Sequence, residues 1–275
     1  MVNHRYEHHL SLKDSLCPFI CDMASISKDE IVTNWHRNIE IIVITDGNGF
    51  VQYGADEIFV EKDDIIIVDS GALHRPHPND ILSYNYIIID EGFCIKNGFL
   101  LEGCRFKRCF KNTQTKNIFF KAVEKINAHQ ISCDSLTAPI AINAVLSLLI
   151  NIYQNHLLEC KKQTNQQNAS EKYVKQTIDY LSENFTEQTN LDSLAKMCNI
   201  TKYHLIREFK RYTGQTICTY VNILKCKRAE AFLVQGLTVT ETATECGFDN
   251  VSYFSQVYKK IMGISPKKVK KQKRP

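Results

Sequence analysis

Two stretches in the C-terminal part of the chain repeat each other, and this duplication constrains the fold more than any other feature. One runs from Leu191 to Gly214, the other from Val239 to Gly263. Ala195 pairs with Ala243 at an offset of 48, while Leu205/Phe254, Phe209/Tyr258, Lys210/Lys259 and Gly214/Gly263 pair at 49. The extra residue falls in a turn, at or near Gly247. Each copy reads as a helix, a short turn and a second helix. A small alanine on the first helix lets the second cross it closely. Thr201 and Asn250 suit the N-caps of the second helices, since their side-chain oxygens can accept from orphan amides. Leu205 and Phe209 are four apart and share a face, as do Phe254 and Tyr258. Those faces must be buried, so Tyr203 and Arg207 point outward in one copy, Ser252 and Gln256 in the other. This is the helix-turn-helix arrangement, in which the second helix enters the major groove of DNA. A single αα-hairpin is weak evidence, because such hairpins are common; two copies argue against a plain helical bundle. Thr216 to Val234 between them predicts a helix about 28 Å long. That is of the order of the roughly 34 Å separating major grooves on one face of a duplex.

Charge follows the same division. Residues 1–170 hold 16 Lys and Arg against 20 Asp and Glu, a net −4; residues 171–275 hold 18 against 10, a net +8. The last 17 residues carry eight Lys or Arg and no acid. A basic rear joined to a mildly acidic front suggests that only the rear meets a polyanion. With 44% hydrophobic residues the chain can build packed cores. Its 275 residues suit two ordinary domains. The eleven cysteines are odd in number and show no CxxC pair; close pairs include Cys17/Cys21, Cys104/Cys109 and Cys94/Cys104. Met1 to Leu10 is polar, with three histidines, and does not read as a signal peptide. No apolar run reaches the roughly 18 residues of a membrane span. These observations predict a cytoplasmic protein without a membrane partner, its cysteines reduced and small-apolar in character.

The basic half resembles the AraC/XylS family of bacterial transcription regulators from about Tyr173 to Lys270. The resemblance is carried by Leu194-Ala195, Leu205-x3-Phe209-Lys210-x3-Gly214, Tyr220, Ala229, Gly247-Phe248, Ser252-Tyr253-Phe254 and Gly263-Ile264-Ser265-Pro266. The sequence departs from the pattern at several positions. Thr242 stands where an aliphatic residue is usual, which loosens the second module's core. Lys225 and Gln256 stand in place of Arg, Tyr258 in place of Phe, and Val269-Lys270 in place of Tyr-Arg. The resemblance implies base-edge contacts from Tyr203, Ile206 and Arg207 in the first module, and from Ser252, Ser255 and Gln256 in the second. Ile206 would meet a thymine methyl, and Gln256 suits adenine better than guanine. Thr201, Lys202, Lys210, Asn250 and Lys259 are assigned to phosphates, which orient the protein without reading sequence.

From about Glu30 to Asp90 the front half is strand-like. The runs are Glu40–Thr45, Gly49–Tyr53, Glu57–Val60, Ile65–Val68 and Tyr84–Ile89, with turn signals at Asp46-Gly-Asn-Gly49, Lys62-Asp-Asp64 and Pro76-His-Pro78. Short strands at this spacing predict a small barrel or sandwich. Helices are predicted over Asn117–Ala128 and Pro139–Leu158, the second begun by its proline, and a polar linker follows from Lys161. Two pieces resemble the cupin signature: His36-x3-Glu40-x6-Gly47 and Gly71-x2-His74. In metal cupins three His and one Glu hold an ion. Here Asn34 stands at the first His position, and Asp63 and Asp69 replace a usual Gly and Pro. Within the regulator family such a front domain usually senses a ligand. The effector candidates are Trp35, His36, Glu40, His74 and Tyr86. Trp offers a stacking face and the others hydrogen bonds, as a sugar-like polyol needs. Residues 1–10 are a candidate arm over that pocket.

The expected architecture is therefore α+β in two domains. A cupin-like β-barrel with C-terminal flanking helices covers 1–160, a linker 161–171, and an all-α domain with two helix-turn-helix modules 172–275. The expected function is a non-enzymatic, sequence-specific regulator, an activator by the commoner habit of the family it resembles, controlled by a small molecule, with a sugar as the candidate class. Its expected partners are double-stranded DNA, the effector, RNA polymerase and a second copy docked through the 139–158 helix. No cofactor, metal or catalytic residue is assigned. Two other readings stay open: a metal-dependent cupin enzyme carrying a DNA-binding module, and a regulator without effector whose front domain only dimerises.

Overall fold

The computed structural model describes residues 18–27, 33–131, 136–160 and 169–271. The chain divides into two compact units: residues 1–27 with 34–165, and residues 28–33 with 166–275.

The first unit contains β1 (Phe19–Ser27), β2 (Ile39–Tyr53), β3 (Asp56–Glu61), β4 (Ile65–Val68), β5 (His74–Ile89), α1 (Glu91–Lys96), β6 (Cys104–Phe106), β7 (Cys109–Phe110), α2 (Thr113–Ile131), α3 (Thr137–His156) and β8 (Leu157–Cys160). Six strands form one antiparallel sheet in the order β1-β5-β2-β4-β7, with β3 also paired to β2; β6 and β8 form a separate ribbon. Among the described residues the expected barrel is not found: β1 and β7 end the path unpaired with each other, and the sheet stays open. Its odd-numbered positions Ile39, Ile41 and Val43 on β2, Ile65 and Ile67 on β4, and Ile87 and Ile89 on β5 form one core with Phe119, Val145, Leu148, Leu149 and Ile152. Two helices thus cover one face of the sheet, as strands apolar on that face require.

Two expected turns lie inside strands. Asp46-Gly-Asn-Gly49 belongs to β2 and Pro76-His-Pro78 to β5; the two strands pair along most of their length, with register shifts at Ile44/Asp46 and Gly47/Gly49. The glycines serve a bulge and not a reversal. Gly47 has φ +80°, and a Cβ there would meet the Ile81 carbonyl oxygen at 2.1 Å. A Cβ on Gly49 would meet that of His77 at 2.6 Å. Only residues without a side chain admit the partner strand so closely. The turn at Lys62-Asp-Asp64 is present, with Asp63 at φ 72°. The strand β1, the short helix α1 and the small strands β6, β7 and β8 were not visible in the sequence pattern.

Pro139 occupies the third position of α3 and does not open it. A proline is tolerated there because a first-turn amide has no intrahelical partner. The helix does reach bilayer length and apolarity, contrary to the sequence expectation. Ala141, Val145, Leu148, Leu149 and Ile152 nevertheless lie in the core of the unit, which is what a core helix does. Cys104 and Cys160 form a disulfide, correcting the expectation of reduced thiols throughout. They sit directly opposite each other where β6 pairs β8, 56 residues apart in sequence. That register is set by tertiary structure and leaves no trace in cysteine spacing. Cys21, Cys94, Cys226 and Cys246 are buried free thiols. Burial pushes Cys21, Cys94 and Cys226 up to about 12, so they stay protonated.

The second unit is helical: α4 (Ala169–Asn184), α5 (Leu191–Met197), α6 (Lys202–Thr213), α7 (Ile217–Gln235), α8 (Val239–Glu245), α9 (Val251–Met262) and α10 (Pro266–Lys271). The expected linker residues 161–168 and the proposed arm at 1–10 lie outside the described residues, and α4 already contains 169–171. Caps fix the helix ends. Thr201, Thr216 and Asn250 accept from the backbone amides of His204, Thr219 and Tyr253, and Thr238 with Glu241 closes a capping box on α8. Gly214, Gly236 and Gly263 stop α6, α7 and α9 in the left-handed region.

Candidate nucleic-acid interface and a buried histidine–carboxylate cluster

In the first module α5 and α6 form the hairpin, in the second α8 and α9. Leu205 and Phe209 on α6 and Phe254 and Tyr258 on α9 are fully buried, as the repeat required. The same spacing turns the other faces outward. Tyr203 is 86% exposed, and Arg207, Ser252 and Gln256 are exposed; Ile206 and Ser255 are half-buried. Of the expected phosphate contacts, Thr201, Lys210, Asn250 and Lys259 are exposed. Lys202 is half-buried and pairs with Asp192 at 3.0 Å. A phosphate would have to displace that carboxylate.

Arg207 is held along its helix. Its Nε donates to buried Glu208 at 3.2 Å and its Nη2 contacts His204 Nδ1 at 3.0 Å, while its side chain stays 71% exposed. Arg211 approaches the other Glu208 oxygen at 3.2 Å. Glu208 therefore anchors two guanidinium groups on one edge of α6, which lowers the entropy lost when they meet an acceptor. Sequence reasoning missed His204, Glu208 and Arg211, although the i,i+3 spacing of His204 to Arg207 and of Glu208 to Arg211 was available. In the second module Lys225 Nζ donates to the Gly247 carbonyl and lies 5.2 Å from the Phe248 ring centre. Burial lowers the Lys225 ammonium from its usual range. Gly247 has φ +69°, and a Cβ there would meet the Thr186 carbonyl oxygen at 1.9 Å. The turn between α8 and α9 thus takes a glycine for two reasons, conformation and space.

Residues 194–272 match a protein-family model described as "Helix-turn-helix domain". Among curated relatives, AdaA of Bacillus subtilis, named as a bifunctional transcriptional activator/DNA repair enzyme, is 33% identical over 110 residues. That match takes in 39% of this chain and 52% of AdaA, so the chain spans about half the length of that relative. YdeC of Bacillus subtilis, named as an uncharacterized HTH-type transcriptional regulator, is 22% identical and covers 92% of both chains. An apo ToxT variant from Vibrio cholerae is similar in fold, with a TM-score of 0.50 and 11% identity, over 91% of this chain and 96% of that one. The matched helix-turn-helix domain includes α5 from Leu194 onward, all of α6 to α9, and α10.

In the first unit the structure brings three of the five effector candidates together. Glu40 lies on β2 opposite Val68 of β4 and Ile88 of β5, on the sheet face away from α2 and α3. His74 opens β5, and His36 lies just before β2. Their Nε2 atoms are 3.2 Å and 3.3 Å from the same oxygen of Glu40, Oε2. All three residues are buried, and the two rings meet edge to face with centres 5.1 Å apart. Burial pushes the Glu40 carboxyl up, but the hydrogen bonds from His36 and His74 outweigh it and hold it at about 2. Tyr53, missed in the sequence, is buried opposite His74 and hydrogen-bonds the Ile67 carbonyl; burial first, then the Glu40 charge, raises its hydroxyl. Tyr86 is half-buried opposite Ile42, two residues from Glu40 on the same sheet face, and Trp35 is half-buried beside His36. The donor atoms of His36, Glu40 and His74 lie within 4.8 Å of one another, and two imidazoles with a carboxylate suit a divalent transition ion. A separate groove of about 740 Å³ lies between α2 and α3, lined in part by Ile118, Lys121, Leu136 and Ile140; none of the five candidates lines it.

Proposed function

We propose that the chain is a sequence-specific DNA-binding transcription regulator whose first unit responds to a small ligand. The observation that carries this reading is the pair of capped helices α6 and α9, alike in buried face and exposed face, within a matched helix-turn-helix domain on the basic part of the chain. Tyr203, Ile206 and Arg207 from α6, and Ser252, Ser255 and Gln256 from α9, read base edges. Thr201, Lys202, Lys210, Asn250 and Lys259 hold phosphates. Residues 1–160 sense the effector through the side chains around Glu40 and supply the surface for a second copy through α3; 161–171 connect them to the reading domain at 172–275. The effector of this reading is a polar metabolite of the sugar class, the action is activation through RNA polymerase, and the site of action is the cytoplasm. The chain itself performs no catalysis in this reading.

The test is a comparison of two variants on operator and random DNA, the operator first found by mapping bound DNA across the genome. Arg207→Ala loses about 1–3 kcal/mol at one base pair, whereas Lys210→Ala weakens all sequences alike and lowers the salt dependence. Equal losses on operator and random DNA for Arg207→Ala would overturn the base-reading assignment.

A further inference from the structure

Glu208 is a charged residue where the packing of its module takes an apolar one. The second helices of the two modules match at an offset of 49, and the residue that matches Glu208 is Val257 on α9, packed against the core of its own module. The Glu208 side chain is only 5% exposed. Removing a carboxylate from water costs free energy unless partners compensate. A valine fills the same place in the twin module without that cost, so the charge answers to something other than folding.

Partners on two helices hold that charge. Nε of Arg207 donates to Glu208 Oε1 at 3.2 Å, and Nη2 of Arg211 lies 3.2 Å from Oε2. The hydroxyl of Ser170, at the start of α4, donates to the same carboxylate. Burial raises the Glu208 carboxyl, but the bonds from Ser170 and Arg207 and the charges of Arg211 and Arg207 outweigh it and hold it below its ordinary value. A second path joins the same two helices. Nη2 of Arg207 donates to His204 Nδ1 at 3.0 Å, and the His204 ring meets Tyr173 of α4 edge to face, with centres 6.4 Å apart. Both groups that hold the Arg207 guanidinium therefore touch the first two turns of α4. A guanidinium carries its N–H donors in one plane, so with Nε and Nη2 held, Nη1 and the second Nη2 hydrogen can meet the two acceptors of a guanine. A side chain already held in that plane gives up less rotamer freedom on binding than one that turns freely.

We propose that Glu208 is a positioning residue for sequence reading. With Ser170 it ties Arg207 to the start of α4, so the placement of α4 sets the plane in which that guanidinium meets a base. α4 is the first helix of the second unit, and a displacement of its start reaches the arginine through one carboxylate. The proposal rests on the reading of Arg207 as a base contact, and its experiment tells the two apart.

Full-length chains are compared on the operator duplex recovered by genome-wide mapping, on the same duplex with each base pair changed in turn, and on random duplex. The variants are Arg207→Ala, Glu208→Gln, Ser170→Ala and the two doubles with Arg207→Ala, each with its melting temperature. Glu208→Gln keeps the shape and removes the charge. It is expected to lower discrimination about tenfold at the base pair that Arg207 reads, within the range for residues in one ion-pair network. Its affinity for random duplex does not fall, since a negative charge has been removed. Ser170→Ala lowers the same discrimination about threefold, as one lost hydrogen bond does. At its half-buried position it decides the matter should Glu208→Gln fail to fold. Neither change has a further effect once Arg207 is alanine. A glutamate that served folding alone would lower the melting temperature and all affinities alike, and would do so in both backgrounds; that result overturns the proposal. Full discrimination in Glu208→Gln and Ser170→Ala, while Arg207→Ala loses it, also overturns the proposal and leaves the base reading in place. Equal losses for Arg207→Ala on operator and random duplex overturn both.

Discussion

Single residues in this protein are set by what surrounds them more than by their type. Glu40 and Asp69 are both partly or wholly removed from water, yet they titrate in opposite directions. Glu40 faces two imidazoles, which hold it at about 2. Asp69 accepts from the Phe106 amide, but burial outweighs that bond and the more distant charges of Arg108 and Arg105, and its carboxyl rises to about 6. An acid that protonates more readily folded than unfolded contributes stability in full below its ordinary value of 3.8, lost as pH rises through about 6. Asp69→Asn keeps an acceptor for Phe106 and removes the charge. It is therefore expected to raise the unfolding free energy at pH 7.5 by about 1–3 kcal/mol, and to flatten the decline between pH 4 and 6. Urea melts across that range check it; an unchanged slope would sink the assignment. The sequence marked Asp69 as a departure from a motif, but only burial gives it a consequence. In the same way the spacing Asn34-x-His36-x3-Glu40 was legible, whereas Tyr53 joins the cluster through strand pairing, which no local spacing announces.

At the scale of elements, the repeat made the helices readable because helical packing and capping are local. The N-caps at Thr201 and Asn250, the glycine stops and the buried Leu205/Phe209 and Phe254/Tyr258 pairs all follow from residues within one turn of each other. The departure at Thr242 also has a local reading. On α8 its side chain is fully buried and its Oγ1 has no hydrogen-bond partner. A buried hydroxyl without a partner costs about 1–3 kcal/mol. Thr242→Val, with nearly the same shape, is expected to stabilise the second module by about 1 kcal/mol, seen as a higher melting temperature. A lower one would mean that the hydroxyl is satisfied after all. The strands were less legible. Asp46-Gly-Asn-Gly49 carries every mark of a hairpin turn, but β2 continues through it because β5 supplies a partner on the far side of the bulge.

For the whole molecule, the charge division and the repeat separate a basic helix-turn-helix part from a mildly acidic part that carries the sheet. If a ligand of the first unit alters DNA binding, linkage requires DNA to alter affinity for that ligand by the same factor. The expected result is a matched change, typically 5- to 150-fold for coupled sites, measured once by DNA titration at saturating ligand and once by ligand titration at saturating operator. Unequal factors, or none, would remove the regulatory mechanism while leaving the DNA-binding reading in place.

Sequence alone was enough for the helical domain, its two matched modules, its outward residues and its sign of charge. These depend on contacts between residues close in the chain, and such contacts leave a period. Tertiary structure alone decided that the first unit is an open sheet under two helices, that Cys104 meets Cys160, and that His36, Glu40 and His74 share one carboxylate oxygen. Those outcomes depend on strand register between distant segments. Register is chosen by the summed burial of the sheet, so no single stretch of sequence encodes it.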